Sequence, residues 1–257
     1  MKRILLTNDD GIYSPGIAAL QKKLKSIAEV TVVAPDAERS AQGHAITLSV
    51  PLRVNEARRD GKYFGYAITG TPADCVKIGL MNIMKKKKPD LIISGLNRGP
   101  NLGINVLYSG TVSGATEGAI LGVPAFAVSL ASFKWEKFEA AVDFTHKLAK
   151  LMLEKKLPVT TLLNVNVPAL PWPKIKGVKI TRQGMSTFYK EDYDMREDPN
   201  RRLYYWLCSY RAEVRGDELV DAVAVRDGYI SITPLHFDMT DYKDFEKLAD
   251  ARKRFFK

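Results

Sequence analysis

The 257-residue chain has few of the residues that staple or metallate small domains, with only two cysteines and three histidines. Cys75 and Cys208 stand far apart in unlike contexts, so neither a disulfide framework nor a zinc-ligand spacing can be read, and both are expected to be buried thiols. His44, His146 and His236 are too scattered to suggest a metal cluster, and surface or core imidazole is the default for each. Long apolar runs are missing as well. The run behind Lys2 and Arg3 stops at Leu6, too short for a signal peptide, and the weakly polar stretch from Gly118 to Leu130 is broken by Pro124. A cytoplasmic protein is the expectation. There is no internal repeat, no low-complexity segment, no Walker spacing, no dinucleotide glycine fingerprint and no G-x-S-x-G elbow.

What is present is ordinary globular material: 46% hydrophobic and 26% charged residues, enough for one large α/β domain or a domain with an appendage. A chain of this length buries roughly three quarters of its unfolded surface, which excludes wholesale disorder. Lys and Arg total 39 against 29 Asp and Glu, and the formal charge of +10 favours anionic partners, phosphates or nucleic acid alike.

The first third alternates strand and helix. Lys2 to Thr7 reads as a first strand, Ser14 or Pro15 opens a helix with Ile17, Leu20, Leu24 and Ile27 at helical spacing, and Glu29 to Ala34 reads as a second strand. Short apolar strands joined by a helix indicate a doubly wound, mostly parallel α/β sheet covered on both faces. Ala45 to Val54 and Tyr63 to Ile68, flanking a turn at Arg59 to Gly61, read as an inserted hairpin over about residues 45–68. A helix from Thr71 ends in Lys85 to Lys88, read as a solvated helix end rather than a nucleic-acid patch. Leu91 to Ser94, Pro124 to Leu130 and Leu162 to Val167 read as strands, and Thr111 to Leu121 and Phe138 to Leu153 as helices, with Val167 completing the core. Beyond Pro168 the texture changes. Tyr189 to Arg202 reads as a loop or projecting arm, Leu203 to Arg211, Ala222 to Val225 and Tyr229 to Thr233 as strands, and Asp244 to Phe256 as a last helix. The expected division is a catalytic core over 1–181 and a β-rich arm and C-terminal segment over 182–257 that is not an independent domain.

Chemistry concentrates at the carboxyl edge of the expected sheet. Asn8, Asp9, Asp10 and Gly11 follow the first strand, where open α/β sheets place ligands. Adjacent carboxylates repel, and a turn at Gly11 can aim both at one hard divalent cation; a polar turn capping the next helix is the other reading. Ser40 lies in the loop after the second strand, where a serine is as a rule a loop hydrogen-bonder. The third strand runs into a segment rich in amides and glycines, with Asn97, Asn101 and Asn105 among Gly95, Gly99 and Gly103. Ser109, Gly110 and Thr111 then open a helix, and its unpaired N–H groups and dipole suit a phosphate. Metal plus phosphate accounts for this set: the cation would polarise a phosphoryl oxygen and raise the acidity of a coordinated water.

At these residues the sequence resembles the SurE family of survival proteins, metal-dependent 5'/3'-nucleotidases. The segments TNDDGIYSPGI from Thr7, APDAERSAQGHAIT from Ala34, TGTPADCV from Thr69, SGLNRGPNLG from Ser94 and YSGTVSGATEGA from Tyr108 follow the family pattern in order and spacing, as does GYISITPL near the C-terminus. The likeness is densest over residues 1–130 and thins over roughly Arg182 to Asp221. It implies that Asp9, Asp10, Ser40 and Asn97 ligate one Mg2+ or Mn2+ per subunit, that Asn101, Ser109, Gly110 and Thr111 hold the phosphate, and that Asn8 and Gly43 shape the pocket. Asp9 and Asp10 are the catalytic pair, with Asp9 taking the proton of the attacking water. Asn105 departs from the family, which usually has Asp there. The resemblance also implies a homodimer or homotetramer with an exchanged C-terminal segment. The expected activity is hydrolysis of nucleoside monophosphates. The competing reading is a nucleotide- or RNA-binding protein without turnover, against which Asp9 and Asp10 argue, because a pocket that only binds phosphate gains nothing from two carboxylates.

Overall fold

The structure is a computed structural model that describes every residue except 135–137, 158–161, 186–188, 212–213 and 256–257. The chain begins with β1 (Arg3–Thr7), α1 (Pro15–Leu24) and β2 (Glu29–Pro35), then makes a hairpin of β3 (Val54–Arg59) and β4 (Lys62–Ile68). α2 (Pro72–Ile78) continues as a π-helical turn over Gly79–Ile83 and leads to β5 (Leu91–Arg98). A 3-10 turn (Gly103–Tyr108) precedes α3 (Gly110–Ile120), followed by β6 (Ala125–Leu130), α4 (Glu139–Leu153) and β7 (Leu162–Val167). The remainder holds β8 (Val178–Ile180), β9 (Tyr189–Glu197), β10 (Leu203–Arg211), α5 (Asp221–Arg226), β11 (Ile230–Leu235) and α6 (Tyr242–Ala251).

Nine strands form one sheet in the order β3-β4-β2-β1-β5-β6-β7-β11-β8. Every neighbouring pair from β4 to β7 is parallel, while β3 and β11 join antiparallel. Side chains of alternate residues serve opposite faces, as the pleat requires. Ile4 and Leu6 of β1 and Leu91 and Ile93 of β5 pack beneath α1 and α4, in a cluster with Leu20 and Phe144. Leu5 and Ile92 face the other way, into a cluster with Val76 of α2 and Val112 and Ala115 of α3. Both faces are covered, and that is why these strands read as unbroken apolar runs.

The chain leaves β1 toward α1 on one face and leaves β5 toward α3 on the other. β1 and β5 are neighbours, so their carboxyl ends bound the crevice where the winding reverses, the position at which open α/β sheets take their ligands.

Several expectations are corrected. The first hairpin strand starts at Val54, not Ala45, because the preceding residues are held by side chains instead of a ladder. The backbone N–H and the hydroxyl of Thr47 both donate to Asp74, and the Thr71 hydroxyl donates to the Ala45 carbonyl. The 222–225 run is helical (α5), since a four-residue apolar run carries too little period to separate strand from buried helix. Its Asp221 carboxylate accepts the N–H groups of Gly103, Gly184 and Ala222. Residues 189–202, read as a loop or arm, form β9 and the turn into β10, a separate two-stranded antiparallel sheet. The core does not end at Val167: β11 pairs with β7 and β8 with β11, so part of the segment beyond 181 completes the main sheet. Phe256, the last residue of the helix expected from Asp244, lies outside the described residues.

Candidate active site

The crevice is built from three loops. Gly11, at a φ of 90°, turns the chain after β1, and the Ile12 N–H donates to the Pro35 carbonyl at 2.8 Å, tying this loop to the end of β2. The Arg39 N–H donates to the Asp9 carbonyl at 2.7 Å, and the Gly43 N–H to the Tyr108 carbonyl at 3.0 Å. The loop after β2 is thereby fixed to both β1 and the entrance of α3.

Asp9 is buried and accepts the Thr111 hydroxyl on Oδ1 at 2.5 Å. Burial pushes its carboxyl above the usual range, and the bond from Thr111 pulls part of the way back. Asp10 accepts the Arg98 N–H on Oδ2 at 3.0 Å. Its own burial, and then the neighbouring charge of Asp9, raise it to about 7. The charge of Asp9 is therefore felt at Asp10 in the turn that follows β1. A Cβ on residue 110 would stand 2.9 Å from the Asp9 Cβ and 3.0 Å from Asp9 Oδ2, so Gly110 allows the first turn of α3 to reach the carboxylate. Ser109 caps that helix, its Oγ accepting the Val112 N–H at 3.1 Å.

The other anticipated residues fall in distinct places. Asn8 is buried, its amide donating to Gly11 O and Ser14 Oγ while its Oδ1 is left without a partner. Asn97 donates its amide nitrogen to the Gly99 carbonyl at 2.7 Å, a bond that does not use its side-chain oxygen. Ser40 is exposed and donates to Glu38 at 2.8 Å; among the described residues its hydroxyl makes no hydrogen bond with Asp9 or Asp10. Gly43, at a φ of 56°, passes close beneath the Leu107 carbonyl. Asn101 is tied to β6 and β7, not to the start of α3. Its amide donates to Ser129 Oγ at 2.8 Å, its N–H donates to Asn166, and its carbonyl accepts from Asn164 and Asn166.

A family model described as "Survival protein SurE" matches residues 4–190. This chain belongs to the SurE family. The "5'-nucleotidase SurE" of Syntrophobacter fumaroxidans is 49% identical over 247 residues, covering 96% of this chain and 98% of that protein. The protein of the same name from Pelotomaculum thermopropionicum is 50% identical over 256 residues, covering 98% and 95%. The crystal structure of the SurE protein from Aquifex aeolicus superposes with a TM-score of 0.84 at 43% identity, covering 97% of this chain and 99% of that one.

The donor set of this SurE-family site fits a hard divalent cation. Two carboxylates share a crevice in which burial and mutual repulsion disfavour their charged forms, and a cation relieves both. A buried amide oxygen, Oδ1 of Asn8, the residue before Asp9, has no hydrogen-bond partner among the described residues. Among the described residues no group of three or more His, Cys, Asp or Glu side chains is placed to hold a metal ion, at this crevice or elsewhere, so a cation here would need neutral oxygen ligands beside the two aspartates. A cleft of about 280 Å³ opens against Asp10, lined by Tyr13, Asp36, Glu38 and Arg98 among others.

Sequence reasoning missed the support around this set. Glu38 adds negative charge near both aspartates and lies 3.8 Å from the Arg98 guanidinium. Glu117 of α3 is buried yet sits below the usual carboxylate range: burial alone would raise it, but His44 and Lys77, each 2.8 Å away, prevail. His44 is four residues from Ser40, so this pair fastens the same loop a second time. Asn164 and Asn166, at alternate positions in an otherwise apolar strand, were the available signal for the Asn101 anchor.

Proposed function

We propose that the chain hydrolyses nucleoside 5'- and 3'-monophosphates to nucleoside and phosphate. The observation that carries the reading is the meeting of Asp9, the neighbour of Asp10 in the same turn, with the Gly110 entrance of α3 at the point where the sheet's winding reverses. The names of the relatives support it. Asp9, Asp10, Ser40 and Asn97 would hold one Mg2+ or Mn2+, which when bound neutralises charge and lowers the pKa of a water. Ser109, Gly110 and Thr111 receive the phosphate at the positive end of α3, with Asn101 setting the far wall. Thr111 occupies Asp9 Oδ1, so Oδ2 is the atom that takes the proton of the attacking water. Asn8 and Gly43 hold the loops in place.

We also assign the protein to the cytoplasm; among the described residues no helix is long and apolar enough to cross a membrane. The exposed Tyr193, Tyr205 and Trp206 of the β9–β10 hairpin, and Tyr242, Phe245 and Leu248 of α6, favour burial against a second copy in a dimer or tetramer.

The test is phosphate release from AMP, GMP and an aryl phosphate with Mg2+, with Mn2+ and with EDTA. Release that EDTA abolishes supports the hydrolase. Nucleotide binding without release under any metal would favour the recognition protein instead.

A further inference from the structure

A large cavity among the described residues lies away from the crevice. It lies at the opposite edge of the sheet, where β1, β5 and β6 begin, and encloses about 1100 Å³. Its lining comes from the turn after α2 (Leu80, Met81), the α3–β6 connection (Leu121, Val123) and the end of α4 (Met152, Leu157). These walls are aliphatic, and among the described residues no aromatic side chain lines the space. Its charges are of nearly one sign. Lys2, Lys85, Lys88 and Lys155 line it against a single acid, Asp90, which Lys2 already pairs at 3.0 Å. Lys85, Lys88 and Lys155 make no ion pair among the described residues.

The shape and the charge select a ligand class. A free phosphate would leave the aliphatic walls facing water, and a nucleotide would find neither a ring to stack on nor, apart from Asp90, a side chain to accept its amino groups. A chain of methylene groups ending in one anionic head satisfies both parts, the chain filling the space and the head reaching the lysines at the rim. We propose that this amino-edge cavity binds an amphipathic aliphatic anion of the long-chain carboxylate class, separately from the nucleotide site.

The test is isothermal titration of the full-length protein in EDTA with dodecanoate below its micelle-forming concentration, with and without saturating AMP. The expected result is saturable binding of one dodecanoate per chain, undisturbed by AMP, and weakened about tenfold in Lys85→Ser/Lys88→Ser. Phosphate release from AMP should be unchanged in that variant. Dodecanol and acetate separate the two halves of the claim, and each alone should bind at least tenfold more weakly than dodecanoate. Failure to saturate at one per chain overturns the proposal, as when a second copy of the chain fills the cavity. Equal binding by the double variant, displacement by AMP, or acetate competing as well as dodecanoate would also overturn it.

Discussion

The two edges of the same sheet are made of the same strands and behave as different materials. At the carboxyl edge the site's groups are held by neighbours: Thr111 on Asp9, the Arg98 N–H on Asp10, the Arg39 N–H on the Asp9 carbonyl, Ser109 on α3. At the amino edge the charged groups are lysines on flexible stems around an aliphatic hollow. The first edge commits its geometry in advance, which catalysis requires because misplacement by about 1 Å can cost about 100-fold in rate. The second has volume and charge without fixed directions, which suffices for holding a flexible anion.

The comparison can be broken most sharply at Gly110. Gly110→Ala places a methyl 2.9 Å from the Asp9 Cβ, and we expect kcat/KM for AMP to fall about 100-fold with the circular dichroism spectrum retained. Activity within threefold of the parent would show that the start of α3 does not need to touch Asp9. Ser109→Ala should lower turnover or raise KM about tenfold through loss of the proposed bond to phosphate, and cost about 1 kcal/mol of stability as a lost helix cap, read by urea denaturation. Glu117→Gln leaves His44 and Lys77 without their charged partner and should lower stability by about 1–3 kcal/mol in the same assay.

A smaller effect concerns pH. Asp10 binds its proton more tightly in the folded chain, near pH 7, than at its ordinary value of 3.8. The folded state therefore loses stability as pH rises through that window, and a cation that favours both ionised carboxylates removes the loss. Mg2+ or Mn2+ should raise Tm by more at pH 8 than at pH 5, measured by differential scanning fluorimetry. An equal rise at both would separate the cation from these two groups.

How far the sequence could be read differed along the chain for physical reasons. β1, β2 and β5 to β7 were legible because strands covered on both faces become apolar runs, and the Asp9–Asp10 pair was conspicuous because acids at the end of such a run must have a partner. The start of α3 was legible in Ser109, Gly110 and Thr111, since cap chemistry is local. Asn101 was harder: its anchors, Asn164 and Asn166, sit 63 and 65 residues away inside β7. α5 was misread because Ala222 to Val225 is too short to show a period, and its Asp221 is satisfied by N–H groups from Gly103 and Gly184 that local pattern cannot reveal. β8, three residues long, carries almost no signal of its own.

The central claim is that Asp9 joins cation, water and phosphate in one crevice. The most direct measurement is the kcat for AMP hydrolysis of Asp9→Asn at saturating Mn2+, alongside Mn2+ affinity by titration. The account predicts that kcat falls by about 1000-fold or more and Mn2+ affinity drops while the fold is retained by circular dichroism. A folded Asp9→Asn variant whose kcat stays within tenfold of the parent would contradict it.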